Sequence, residues 1–317
     1  MRALTKLLAI TFALASSASA VGQSTQPVLG GNAYLAQVLK DIERQVSIIA
    51  KLRHESRVLD QKLTGSGKYW QLRTRGQRLT KWEMQTQIAD QTVSFEQVYD
   101  GEYLWTDRRN PTGRQVHRLD IAWLQAKLRS ASRGNAADER QQLIAAVEGQ
   151  GGLGQMLADL LRNFDFQPPQ PTQLNGLPVN ALIGRWRPER LVHLWPDAVK
   201  LGEAEPPEWP RQLPHHVLLL VRRDNTIPCV CEHRRAADAA LAGSLAGLRP
   251  SSDPLLRYEI FEVQTAVAIR GERFRFSPGN QWTDETALVL EQLTKGDGES
   301  ESTTAPDTAR DPQLLQR

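Results

Sequence analysis

Between residues 66 and 105 the chain keeps a period of two. In 79–88, Trp82, Met84, Thr86 and Ile88 alternate with Lys81, Glu83, Gln85 and Gln87. Successive strand side chains point to opposite faces, so this pattern describes a strand with one apolar and one wet side. The segments 66–74, with Trp70 and Leu72, and 92–99, with Val93 and Phe95, read the same way. Asp100-Gly101 marks a tight turn, after which Tyr103-Leu104-Trp105 resumes a strand. Strands spaced at roughly 8–12 residues form a meander, because a parallel pair needs a long crossover between its members. The prediction is an antiparallel sheet with a solvated side.

Helices flank this meander. After a candidate cap at Asn32, Leu35, Val38, Leu39, Ile42, Val46, Ile49 and Leu52 recur at three- and four-residue steps, which predicts one amphipathic helix. Helical character returns over 120–164, where Leu153, Leu157, Leu160, Leu161 and Phe164 form an apolar face that Pro168, Pro169 and Pro171 end. Further strands are predicted at 176–186, 215–222, 226–235, 256–270 and 272–277, with a short helix at 187–195. Loops are expected at 202–214 and 236–254, and Thr283 or Asp284 can cap a last helix at 285–294. Residues 32–294 carry no repeat and no boundary, so one α+β domain is expected. A flexible segment at 21–31 precedes it, and a polar, apolar-poor tail follows at 295–317.

The first twenty residues suggest the compartment. Arg2 and Lys6 precede an apolar run from Leu7 to Ala15, and Ala18-Ser19-Ala20 supplies a small-x-small cleavage pattern. This is the form of a signal peptide over 1–20, so an exported, periplasmic and soluble protein is expected. The run is too short to span a bilayer, and a membrane-spanning chain is not expected. With 39 Lys+Arg against 36 Asp+Glu the formal charge is only +3, which leaves no basic footprint for nucleic acid.

Sites for chemistry fail on context. Thr64-Gly65-Ser66-Gly67-Lys68 resembles the end of a phosphate loop, but Lys62 stands where the first Gly belongs and Tyr69 replaces the Ser/Thr. Gly149-Gln150-Gly151-Gly152-Leu153-Gly154 fits G-x-G-x-x-G in letters only. A helical pattern precedes it where a strand is required, so it reads as a helix break. His215 and His216 are adjacent in a strand and point apart. Cys229, Cys231 and His233 alternate along another strand and would share one face. Buried thiols, a strained i/i+2 disulfide and a partial metal site are the three readings of that trio. No catalytic activity, cofactor or metal is expected.

What stands out is aromatic placement. Trp70, Trp82, Met84, Phe95, Trp105, Phe274 and Phe276 all fall in predicted strands, largely on the non-solvated face. They either fill a packed core or line an apolar cavity on the concave side of a curved sheet. The run Tyr99-Asp100-Gly101-Glu102-Tyr103-Leu104-Trp105, followed by Thr106-Asp107 and Gln115-Val116, resembles a hairpin of the periplasmic lipoprotein-carrier (LolA-like) family. Arg273-Phe274-Arg275-Phe276-Ser277-Pro278-Gly279 is similar to that family's closing strand, and the early helix followed by Gly65-Ser66-Gly67-Lys68-Tyr69-Trp70 fits its opening order. The resemblance implies an unclosed antiparallel β-barrel, a half-barrel, with helices over the concave side and a helical insertion at about 125–215. It also implies that the seven residues form a cavity wall that shields acyl chains of lipids or lipoproteins from water. Two other readings stay open. One is an envelope interaction or sensor module that carries no cargo and binds other envelope proteins; the other is a hydrolase or metalloprotein using His233 and the two cysteines.

Overall fold

In the computed structural model, which describes residues 29–58, 61–74, 76–130, 151–202, 207–235, 248–251 and 253–294, the alternation seen in sequence becomes a hydrogen-bonded meander. Its strands are β1 (Ser47–Val58), β2 (Gln61–Thr74), β3 (Gln77–Ile88), β4 (Gln91–Tyr99), β5 (Tyr103–Asn110) and β6 (Gly113–Asp120), each antiparallel to the next. The chain continues through β7 (Phe164–Phe166), β8 (Gln170–Leu174), β9 (Leu177–Trp186), β10 (His216–Arg222), β11 (Pro228–Arg234), β12 (Leu256–Thr265) and β13 (Thr283–Asp284). All belong to one sheet of order β13-β6-β5-β4-β3-β2-β1-β12-β11-β10-β9-β7, with β8 also pairing β9. Among the described strands only β13 pairs in parallel, through Thr283 and Asp284 against His117 and Arg118. The order does not return to its start, so the curved sheet is an unclosed half-barrel. The expected signal peptide, most of the 21–31 segment, the tail from 295 and most of the 236–254 loop lie outside the described residues.

Among the described residues five α-helices accompany the sheet: α1 (Gly31–Arg44), α2 (Ile121–Ser130), α3 (Gly152–Asn163), α4 (Pro188–Leu194) and α5 (Thr286–Thr294). Two of them, α1 and α3, cover the concave face. Leu35, Val38 and Ile42 of α1 and Leu153, Leu157 and Leu160 of α3 pack with Ile48, Ala50, Leu52, Tyr69, Trp82, Met84, Leu219 and Ile260 of the sheet. Asn32 does not cap α1. Its side chain donates to Asp165 at 2.9 Å and accepts from the Phe166 amide at 2.8 Å, which ties the helix to β7. The last helix is capped as expected, by Asp284 Oδ1 accepting from the Thr286 amide at 2.9 Å.

Several elements differ from the sequence expectation: β7 begins at Phe164, expected as helical, β8 crosses the Pro stretch, and β12 stops at Thr265 short of 270. The predicted single helix over 35–52 ends at Arg44, and β1 begins at Ser47. Val46, Ile49 and Leu52 fit a helical step by coincidence. The burial instead alternates, with Ile48, Ala50 and Leu52 inward and Val46 62% exposed, and a β-branched pair such as Ile48-Ile49 favours a strand. The strand expected at 272–277 is a one-turn 3-10 helix, Gly271–Phe274, within a segment crossing the outside of the sheet. Its hold is hydrophobic: Phe274 is buried with Trp70, Leu79 and Val98. Finally, Cys229 and Cys231 do not share a face. Val230 pairs with Leu220 but Pro228 pairs with Val221, so Cys229 is the extra residue of a β-bulge. Cys229 packs outward with Leu218, Leu220 and Val230, whereas Cys231 packs inward. Both are buried free thiols, and burial pushes them up to about 11 and about 12 respectively.

On the concave side, β2 carries glycines where its neighbours carry side chains. A Cβ on Gly67 would lie 1.9 Å from the Glu83 carbonyl oxygen and 2.5 Å from Met84 Sδ. Gly67→Ala should therefore cost about 2–3 kcal/mol, as overpacking against rigid backbone does. Gly30→Ala, with nothing within 4 Å of its Cβ, should be silent. Thermal denaturation of the two variants checks this, and equal melting temperatures would contradict the close packing at Gly67.

Candidate binding groove

Strand register decides which side chains meet. Tyr69 faces Trp82, Trp82 faces Gln97 and Met84 faces Phe95 across β2, β3 and β4. These residues share the concave face with His54, which lies opposite Gly65 and Tyr258. Helix α3 packs on this face through its buried stripe Leu153, Leu157 and Leu160. A Cβ on Gly152 would sit 2.5 Å from the Tyr69 ring, and Gly152 holds φ at +66°, so the helix starts in direct contact with the ring. Away from that contact a groove of about 490 Å³ separates α3 from the sheet.

The floor of the groove comes from Trp82, Met84 and Thr86 of β3, Phe95 and Gln97 of β4, His54 of β1 and Tyr258 of β12. Its roof is Gly152, Gln155, Met156 and Asp159 of α3. Trp82 meets Tyr69 and Tyr258 edge-on, with ring centroids 5.8 and 5.9 Å apart, so its indole is fixed from both sides. The floor is deep because of Gly65 and Gly67. A Cβ at Gly65 would meet the His54 ring at 2.4 Å, so imidazole and thioether lie across positions where β2 has no side chain. Polar groups gather at the edges: His54 Nε2 lies 3.3 Å from Thr86 Oγ1, and Gln155 donates to Asp159 at 2.7 Å.

Of the seven residues expected on the cavity wall, the structure brings Trp82, Met84 and Phe95 to the groove. Trp70, Trp105, Phe274 and Phe276 lie on the other face. Trp70 pairs with Lys81, Lys81 with Val98 and Val98 with Trp105, the opposite parity to Trp82. There they form a second aromatic layer. Arg273 sits over Trp70 at 4.7 Å, while Trp105 stacks on Phe276 at 5.4 Å and meets Trp282 edge-on at 5.7 Å. Sequence reasoning missed Tyr258, Met156 and the polar edge. Gln155, Met156 and Asp159 do carry a signal, since they recur at three- and four-residue steps beside the buried stripe Leu153, Leu157 and Leu160. His215 and His216 approach more closely than expected, with their Nδ1 atoms 3.4 Å apart, because His215 precedes the first residue of β10. Among the described residues no group of three or more His, Cys, Asp or Glu is placed to hold a metal ion.

Burial lowers the His54 pKa below its ordinary 6.5. The groove therefore presents a neutral imidazole at pH 7. As pH falls through 6.5 the unfolded chain binds the proton first, so stability falls with acidification. An NMR titration of the His54 ring should give a midpoint below 6.5, and a midpoint above it would show that the ring is solvated or paired with a carboxylate.

No family model matches this sequence, and no curated protein matches it. Solved structures do. The chain is similar to a chain of the Pseudomonas aeruginosa MucA/MucB complex at 9% identity and TM-score 0.37, covering 78% of this chain and 60% of that one. It thus spans less than two thirds of that chain's length. It is also similar to a putative outer membrane lipoprotein-sorting protein domain from Vibrio parahaemolyticus, at 11% identity and TM-score 0.32, covering 82% of this chain and 98% of that one. A LolA superfamily protein from Nitrosomonas europaea matches at 12% identity and TM-score 0.28, with coverage of 78% and 98%. These likenesses are distant.

Proposed function

We propose that this protein is an exported carrier that holds acyl chains in the groove between α3 and the sheet, without a catalytic step. The observation supporting this is the make-up of the groove, whose floor and roof combine Trp82, Met84, Phe95, Met156 and Tyr258. Each methylene moved from water onto such a surface contributes about 0.8 kcal/mol, so burying ten gives about 8 kcal/mol. Lost translational freedom and chain ordering offset several kcal/mol of that, leaving an affinity suited to reversible loading. Two methionines opposite each other add an adaptable surface, because thioethers fill irregular gaps at low cost. Export follows from the leader pattern of residues 1–20. In keeping with a carrier that does not span the membrane, no helix among the described residues is long and apolar enough to cross one.

A second reading places a protein partner on the outer face. Trp282 is 41% exposed there, with the Arg118 guanidinium 4.2 Å from its ring centre, the kind of aromatic and arginine pairing that anchors protein contacts. The two readings separate on one substitution. A fluorescent acyl probe should bind the wild type, and Phe95→Glu should weaken it at least tenfold. Phe95 is only partly buried, so the variant should keep its fold, read by circular dichroism. A folded wild type that leaves the probe in water would end the carrier reading.

A further inference from the structure

We propose that the groove accepts one acyl chain with an uncharged polar end, and that it discriminates against carboxylate and phosphate amphiphiles. This rests on the carrier reading and names its ligand class. Volume sets the chain number. A methylene needs about as much space as a molecule of liquid water, ~30 Å³, so the 490 Å³ of the groove take about 16 methylenes. A hollow of this order matches one long acyl chain.

Charge sets the head. A carboxylate or phosphate leaving water needs a cation or several donors to replace its hydration. Among the described residues that line the groove none is Lys or Arg. Every element around it contributes neutral polar groups instead: His54 from β1, Thr86 from β3, Gln97 from β4, Tyr258 from β12 and Gln155 from α3. The single formal charge on the wall is the Asp159 carboxylate of α3. Arg162, one turn further along α3, engages Asp159 itself at 3.5 Å. An anionic head at this edge would meet a carboxylate and compete for a guanidinium already paired. Hydroxyl, ester and amide groups have none of this cost, and the amides of Gln97 and Gln155 can both donate to and accept from them.

Competition against the bound fluorescent acyl probe tests the proposal on the full-length protein. The competitors are 1-monopalmitoyl-glycerol, palmitate and dipalmitoyl phosphatidylglycerol, each below the concentration at which it aggregates. The monoglyceride should displace the probe at one per protein. Palmitate and the two-chain phospholipid should each be at least tenfold weaker. Asp159→Asn removes the wall carboxylate and releases Arg162, so it should narrow the gap between palmitate and the monoglyceride at least threefold. Asp159 is half-exposed at the surface, and the variant keeps its fold on that account. Equal or tighter binding of palmitate or phospholipid by the wild type would overturn the selectivity while leaving the carrier reading in place. A parallel change for all three ligands on Asp159→Asn would overturn it too. Failure of the probe itself to bind would remove both.

Discussion

The fold turns on the phenol ring of Tyr69. It is fully buried on the concave face, directly under Gly152 at the start of α3. Its hydroxyl donates to Gln71 Oε1 at 2.8 Å, and Gln71 Nε2 donates to the Ile42 carbonyl near the end of α1 at 2.7 Å. One side chain of β2 thus fixes the start of one covering helix and, through its neighbour, the end of the other. Burial pushes the Tyr69 pKa up to about 12, so the hydroxyl stays protonated and able to donate. Buried hydrogen bonds of this kind hold position because a broken one leaves its partner unsatisfied in a dry core.

From that anchor the groove follows. Helix α3 cannot lift at Gly152, and further along β2 the glycines 65 and 67 remove side chains from the sheet below. Neighbouring His54 and Met84 lie into the freed space, and Trp82 is clamped between Tyr69 and Tyr258. On the opposite face the segment carrying Ile269, Phe274 and Phe276 packs against Trp70, Leu79 and Val98, while a more polar hollow of about 520 Å³ lies among Arg53, Ser66, Gln85, Gln87 and Thr92. The aromatic- and methionine-lined opening is the one inside, along one helix. A concave surface with apolar walls and polar edges has the general form of a small-molecule site.

Much of this was legible in the residues. The alternation of 79–88 correctly indicated the meander and the inward direction of Trp82 and Met84, and Phe95 follows from its own strand. Tyr69 and Trp70 show where that reasoning stopped. Both are aromatic and adjacent, so burial within β2 alone cannot say which one faces the helices. Register answers it: Thr74 pairs with Gln77, and stepping back along that hairpin puts Tyr69, not Trp70, opposite Trp82. Counting pairs from the turn would have revealed this, and the same count across β4 and β5 sends Trp105 outward through Val98. The bulge at Cys229 and the early end of α1 were less accessible. Both depend on tertiary packing that overrides a local period.

In the proposed complex the acyl chain lies between Met84 and Met156. The chain contains three methionines, and the remaining one is Met1, so methyl-labelled methionine places two reporters on opposite walls of the groove. A titration with 1-monopalmitoyl-glycerol, followed by methyl NMR, should shift both Met84 and Met156 and give intermolecular contacts from each methyl to the acyl protons. Saturable lipid binding with both methyl signals unmoved would place the ligand elsewhere and contradict the account.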